Sequence, residues 1–346
     1  MKILYAGNLT PHDSTLYRMW ALQRLGHTPM PFNAVEYLPS SPVAQKIVFR
    51  LAAGPQVNRM NRDLLELAER EGVEAVWTDK LLGMQPATLD RLRELGIVTA
   101  SYMIDNAFGP RRDPGWRLYR KCIRHYDLHI TQREVSVRDY QACGARDVMK
   151  IQTAFEPTIH FPPPAIWSDR QRTRGVSFIG TPYDDRATML ARLWREQGLP
   201  VVVSGNSNWN RALGPEAARA IYRDGEIYLD QYREGIWKSK INLSFLTHSN
   251  QDEFVHKSFE IAACRGFLLA ERSPGHAERF VENQEAVFFS SFEECVTQIR
   301  RYLPDQDARE RIAEAGYQRA LRSGYDNDHQ VKLIVDRIRQ IARAGS

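Results

Sequence analysis

The sequence lacks any run of about eighteen apolar residues, so no segment reads as a membrane-spanning helix. Its four cysteines, Cys122, Cys143, Cys264 and Cys295, are scattered. They form neither a CxxC pair nor a Cys/His cluster with zinc spacing, and they read as free thiols in a reducing compartment. No GxGxxG follows the first strand, and no GxxxxGK[ST], HExxH or GxSxG is present. These absences exclude the standard dinucleotide fingerprint, the P-loop, the common zinc-protease motif and the nucleophile elbow. Histidines such as His12 and His27 stand singly. The opening MKILYAGNLT enters a strand without the apolar core of a signal peptide. The sequons at Asn8 and Asn242 therefore carry no expectation of glycosylation, and a cytoplasmic location is expected. Charge of one sign is not in large excess: 47 Lys and Arg against 42 Asp and Glu give +5. Without a long basic run or aromatic–basic interleaving, a nucleic-acid partner is not expected. The small positive balance permits contact with an anionic substrate or with the inner face of a membrane.

The 346 residues are 43% apolar and 26% charged, enough for packed cores and, at about 150 residues per domain, for two domains. Short β-branched runs alternate with helical stretches closed by glycine. MKILYAG, VEAVW (73–77), IVTASYMI (97–104), DLHIT (127–131) and DVMKIQ read as strands. The helices between them end at Gly26, Gly72, Gly96 and Gly144. His160-Phe-Pro-Pro-Pro-Ala-Ile-Trp167 and the charged segment after it interrupt the pattern as an extended connector. The alternation then restarts with GVSFIG (175–180), LPVVVSG, KINLSFL (240–246), GFLLA and EAVFF, and closes with a helical stretch from Ser291 to Ala344. Two consecutive doubly wound α/β domains place ligands outside the carboxyl ends of their strands. Those ends carry Gly7-Asn8, Thr78-Asp79-Lys80, Asp105-Asn106, Gly180-Thr181 and Ser204-Gly205-Asn206. The same residues also favour ordinary turns.

The most informative segment is Asp252-Glu-Phe-Val-His-Lys-Ser-Phe-Glu260-Ile-Ala-Ala-Cys-Arg-Gly266-Phe-Leu-Leu. Glu260 interrupts an apolar helix and needs a partner, either a sugar hydroxyl or a neighbouring base. His256, Lys257 and Ser258 lie near the helix start, where the dipole favours an anion such as a diphosphate. Arg186, after Tyr183 in the 180–185 loop, is either a phosphate contact or a surface arginine. Asp105 is either an acceptor-orienting group or an Asx turn.

SFEIAACRGFLLAERSPGHAERF, followed by ENQEAVFF and RIAEAGYQRAL, closely resembles the CgeB-like (spore-maturation type) branch of the group 1 glycosyltransferases, with its pattern FE-x-x-A-C-G-G-F-L-L. SFIGTPYDDR, VVVSGNSNW and YREGIWKSKINLSF resemble further elements of that family in the same order, and VWTDK, YMIDNAF and YDLHITQREVSVRDYQACGA do so more weakly. The resemblance implies the GT-B fold, α/β with two Rossmann-like doubly wound domains facing across a cleft. Residues 1–160 would form the acceptor-binding domain, 161–174 a Pro-rich linker, 175–325 the nucleotide-sugar domain, and 326–346 a final helix crossing back to the first domain. Glu260 falls on the acidic position assigned to the nucleotide ribose, and Asp252 on the one near the donor sugar, where relatives often carry Glu. Lys257 stands where the family often has Arg, and Arg265-Gly266 where it has Gly-Gly. Lysine screens a diphosphate but cannot grip it bidentately.

The expectation is a metal-independent enzyme that moves a sugar from a nucleoside-diphosphate sugar to a hydroxyl acceptor. The acidic pair implies retention by resemblance. No cofactor is expected beyond the nucleotide-sugar co-substrate, with a UDP-sugar as the default donor. The catalytic candidates are Asp105, Asp252 and Lys257. Gly180, Tyr183, Arg186, Gly205, Asn206, His256, Lys257, Ser258 and Glu260 are the donor candidates, and Gly7, Asn8, Asp79, Lys80 and Asn106 face the acceptor. The acceptor is a glycan, a lipid-linked molecule or a small molecule. A nucleotide-sugar epimerase of the same fold and a non-catalytic binding module are the rival readings.

Overall fold

The computed structural model describes residues 1–11, 13–51, 53–109 and 114–345, so His12 lies outside the described residues. The chain divides into two α/β units, Met1–Thr153 with Asn327–Ser346, and Ala154–Asp326. The first unit runs β1 (Lys2–Gly7), α1 (Ser14–Arg24), β2 (Thr28–Asn33), α2 (Pro42–Leu51), α3 (Pro55–Glu71), β3 (Ala75–Asp79), α4 (Pro86–Glu94), β4 (Val98–Tyr102), α5 (Trp116–Cys122), β5 (Leu128–Thr131), α6 (Glu134–Ala142) and β6 (Val148–Lys150). Its six strands are parallel in the order β2-β1-β3-β4-β5-β6. The strand residues alternate between two apolar layers. Ile3, Tyr5, Trp77 and Ala100 enter one core, while Leu4, Ala6 and Val76 meet Leu64 and Leu89 of α3 and α4 in the other. Helices on both faces explain why β3 and β4 are buried along their whole length.

Strand β2 and helix α2 occupy a stretch where no sequence pattern predicts an element. In β2, Pro29 and Pro31 would break a central strand. Here Thr28 N–H donates inward to Met1, and by the period of two the prolines face the open edge, where no donor is needed.

The second unit runs β7 (Arg174–Ile179), α7 (Arg186–Arg195), β8 (Val201–Ser204), α8 (Asn208–Ile221), α9 (Leu229–Trp237), β9 (Ser239–Ser244), α10 (His256–Ala263), β10 (Leu268–Glu271), α11 (Pro274–Arg279), β11 (Val287–Phe289), α12 (Phe292–Tyr302) and α13 (Gln306–Arg322). Its strands are parallel in the order β11-β10-β9-β7-β8. In each sheet the first strand lies between the second and the third. The winding therefore reverses between β1 and β3, and again between β7 and β9, where such sheets open a ligand crevice.

The second unit starts at Ala154, before the prolines, and not at 175. Phe155 N–H donates to the Tyr325 carbonyl at 3.0 Å, and Phe155 is buried with Phe259 and Tyr325. The irregular segment that follows is fastened to the same unit. Phe161 and Trp167 pack on the Trp237 ring, and Asp169 bridges Lys240 and Arg309. The last helix, α14 (Asn327–Gly345), belongs to the first unit. Val331, Ile334, Val335 and Ile338 recur at helical spacing and bury one face against Ile3, Tyr5 and Trp77.

Below the first unit's winding reversal sits a buried ion pair. Arg18 Nε meets Asp79 Oδ2 at 2.5 Å and Nη2 meets Oδ1 at 3.0 Å, with side chains 4% and 0% exposed. The Tyr5 hydroxyl also donates to Oδ2 at 2.5 Å. Burial, followed by the Asp79 charge, pushes the Tyr5 hydroxyl well above its ordinary pKa and keeps it a donor. Asp79→Ala leaves Arg18 buried without a counter-charge. The expected loss is about 3–5 kcal/mol, read as a lowered urea midpoint; an unmoved midpoint refutes this assignment.

Candidate functional site

At the carboxyl ends of β7 and β8 two glycines meet backbone to backbone. A Cβ on Gly205 would lie 2.0 Å from the Gly180 carbonyl oxygen and 2.6 Å from Trp209 Nε1. The Trp209 indole donates to that same oxygen at 2.7 Å, and Gly180 N–H donates to Ser204 at 2.9 Å. Only glycine at 205, with φ +155°, permits this approach. Next to it, a Cβ on Gly180 would lie 3.5 Å from Lys257 Nζ, so the lysine of α10 reaches the loop after β7.

Glu260 lies one turn further along α10, its side chain 17% exposed. Its Oε2 accepts from the Tyr232 hydroxyl at 2.5 Å, and its Oε1 is 3.9 Å from His160 Nε2. His160 Nδ1 accepts from the Glu156 backbone N–H at 3.0 Å, which assigns the ring proton to Nε2, the nitrogen facing Glu260. Burial lowers the His160 pKa. Burial pushes the Glu260 carboxyl up, but His160, Lys257, His256 and the Tyr232 hydroxyl together outweigh it, and the group sits below its ordinary range. Lys257 is lowered to about 8 by burial, opposed by Glu260 and reinforced by Arg186. Its ammonium also lies 5.3 Å from the Tyr232 ring centroid and 5.5 Å from that of Phe178. The structure thus gathers Gly180, Lys257 and Glu260, expected from sequence, with His160 and Tyr232, which were not.

The other expected donor residues are more structural in their contacts. Arg186 is buried and donates to the Leu246 carbonyl and Thr247 Oγ1 at 2.9 Å each, and to Thr181 O at 3.2 Å. It therefore straps the loops after β7 and β9 together across the winding reversal. Tyr183 is exposed, its ring 5.5 Å from the Arg186 guanidinium. Asp252 accepts from Thr247 N–H at 3.3 Å and from Asn250 at 3.1 Å within its own loop. Ser258 points inward, in a chain Ser244–Ser258–His276 that ends on the Glu271 carbonyl. Asn206 accepts from Asn208 N–H at the start of α8, and His256 is half-buried beside Glu260. Asp184 accepts from His248 N–H at 2.8 Å. Among the described residues no group of three or more His, Cys, Asp or Glu forms a metal-holding set.

On the first unit, Gly7 lets β1 approach β3: a Cβ there would lie 2.8 Å from the Asp79 carbonyl oxygen. Asp79 itself is enclosed by Arg18 and Tyr5. Asn8 ties its own loop through Asp13 and Thr10 N–H. Asn106 accepts from Phe108 N–H at 2.9 Å as an Asx turn. Lys80 and Asp105 remain on the open rim, with Nζ and Oδ2 4.0 Å apart and side chains 34% and 49% exposed. Beside them opens a cavity of about 300 Å³. No helix among the described residues is long and apolar enough to cross a membrane.

Residues 186–336 match a family model described as glycosyl transferase-like. No curated protein matches the chain. Among solved structures, the sucrose-phosphate synthase of Thermosynechococcus elongatus aligns with a TM-score of 0.70 at 12% identity, over 99% of this chain and 100% of that one. Anabaena HepE in complex with UDP and glucose aligns at 0.65 and 12%, over 98% and 100%. An α,α-trehalose-phosphate synthase (UDP-forming) from Burkholderia vietnamiensis aligns at 0.66 and 13%, over 98% and 99%. The fold is GT-B, as these likenesses show; none of them distinguishes the CgeB-like branch.

Gly205→Ala is expected to part the loops after β7 and β8. It should weaken ligand binding at the Gly180–Lys257 rim and lower the melting temperature. Retention of both would show that the two backbones need not touch.

Proposed function

We propose that this chain is a group 1 glycosyltransferase of the CgeB-like branch. It transfers a sugar from a nucleoside-diphosphate sugar to a hydroxyl acceptor, without a metal ion. The observation that carries the reading is the cluster of Gly180, Lys257 and Glu260 at the carboxyl end of the second sheet. A lysine ammonium beside a glycine loop meets a diphosphate there, and a half-buried carboxylate offers acceptors to ribose hydroxyls one helical turn away. The first turn of α10 adds backbone N–H groups, since its N-cap Val255 supplies no side-chain cap. As the glycosyl–phosphate bond breaks, negative charge grows on the leaving diphosphate. Lys257 and the α10 N-terminus, held in place beforehand, stabilise that charge more than they stabilise the ground state.

Arg186 acts in this scheme by holding the loops after β7 and β9, and so by positioning. Asp252 belongs to the same loop, and retention of configuration is proposed on the acidic pair alone. A UDP-sugar is the proposed donor, in line with the UDP bound to HepE. On the first unit, Asp105 on the open rim is the proposed acceptor-orienting group, with Lys80 beside it. The proposed setting is cytoplasmic, with peripheral contact at the inner membrane face.

Calorimetric titration with UDP, GDP, CDP, ADP and dTDP tests the donor site. One nucleotide should bind selectively, and Glu260→Gln should weaken it about ten-fold through the lost ribose contacts. If none of the five binds, the donor assignment falls and a non-catalytic module takes its place.

The pH dependence follows from Lys257. Its ammonium is the form that attracts a diphosphate, and it deprotonates as pH rises through about 8. Nucleotide affinity should therefore fall from pH 7 to pH 9, with proton uptake on binding near pH 8. Lys257→Met should bind more weakly and show no such slope. A wild-type affinity flat over this range would remove Lys257 from the diphosphate contact.

A further inference from the structure

The cavity on the first unit has two unlike walls. Gly7, Asn8 and Lys80, at the ends of β1 and β3, supply a polar wall at the winding reversal. The opposite wall comes from the segment after β2 and from α2, α3 and the loop after β3, and is mostly apolar: Val35, Leu38, Val48, Val57, Met60 and Leu81 outnumber Tyr37, Gln45 and Gln56. A sugar bears a hydroxyl on nearly every carbon, and each one dehydrated without a partner opposes binding. This wall offers few such partners for its extent. It suits a hydrocarbon chain, whose removal from water is favourable.

The outer face of α2 indicates where such a chain comes from. Val43, Ile47 and Leu51 recur every four residues and are 67%, 52% and 63% exposed. Lys46 and Arg50 flank this stripe, while Gln45 and Val48 on the other side of the helix line the cavity. From Tyr37 to Gly54 the sequence carries two cationic residues, Lys46 and Arg50, and no acidic one, while Arg59 and Arg62 of α3 pair with Asp63. An exposed apolar stripe edged by cations, on a helix without an acidic residue, complements an anionic bilayer surface.

We infer that the acceptor is a membrane-borne amphipathic lipid. Its hydrocarbon chain occupies the cavity beneath α2, its hydroxyl-bearing head lies at Asn8 and Lys80, and α2 rests on the anionic bilayer. The inference rests on the acceptor side of the proposed function and names its substrate class.

The test measures three bindings on the full chain. The first compares monomeric n-octyl β-D-glucoside with methyl β-D-glucoside by calorimetry. The octyl compound should bind about ten-fold tighter or more, through chain burial. Leu38→Lys, at an exposed cavity position, and Val48→Trp, which fills the space without burying charge, should each abolish that advantage. The second measurement, UDP binding, should be unchanged in both variants. The third is co-sedimentation with phosphatidylcholine vesicles with and without phosphatidylglycerol. Binding should require the anionic lipid, and the double variant Ile47→Ser, Leu51→Ser should lose it while keeping octyl glucoside. Equal affinity for the two glucosides overturns the inference, as does an octyl advantage that survives both cavity variants, or absence of binding to anionic vesicles. Octyl binding with no UDP binding would leave the cavity assignment standing and fell the donor site; the reverse result would fell only the cavity.

Discussion

The arrangement of the second unit's site depends on balancing one half-buried carboxylate. Glu260 sits among the buried Phe259, Ile261, Ala262 and Ala263 of its helix, where an ionised group survives only if opposite charge and hydrogen-bond donors surround it. Meeting that demand recruits Tyr232 from α9, His160 from the segment before the prolines, and Lys257 from its own helix. Each recruit fixes something else. His160 is held by the Glu156 backbone, which anchors the stretch entering the unit, and its ring packs edge-on to Tyr232 at 5.7 Å. Lys257 in turn lies against the Gly180 loop. One charge therefore ties together α9, α10, the entering segment and the end of β7.

The two units solve the same geometric problem at their winding reversals in different ways. In both, glycine brings backbones closer than any side chain allows, Gly7 against Asp79 and Gly205 against Gly180. Beneath this point the first unit inserts a buried ion pair, which joins α1 to the end of β3. The second uses a guanidinium, Arg186, to cross-link two loops through their carbonyls. That strap is made of neutral acceptors, and burial lowers the arginine's pKa, opposed by Asp184, Asp252 and Glu271.

Much of this was legible in the sequence wherever a local rule governs. The parallel strands read as β-branched runs, and the glycines after α1, α3, α4, α6 and α7 take positive φ as helix-closing residues do. Glu260 stood out because a carboxylate in an apolar helix demands a partner. The identity of that partner was not legible, since Tyr232 and His160 lie 28 and 100 positions away and carry no motif. Strand β2 escaped notice because proline argues against a strand unless its edge position is known, which only the assembled sheet supplies. Asp79 looked like a rim residue because it ends a strand. Its enclosure depends on Arg18, a helix residue with no sequence signal of burial. The tie between 154–160 and the second unit was likewise invisible, because the prolines are a stronger local mark than the contacts of Phe155.

The path of the chain through its units has a consequence for how the molecule is made. The second unit is one uninterrupted stretch, 154–326, whereas the first is split and receives α14 only from the last twenty residues. During synthesis the inserted unit has all its residues before the enclosing one does. Until α14 is released, the layer containing Ile3, Tyr5 and Trp77 lacks Val331, Ile334, Val335 and Ile338. The unit whose residues emerge first is thus the last to complete its core. Its closing contacts span nearly the whole chain, a separation that slows folding and leaves apolar surface uncovered in the interval.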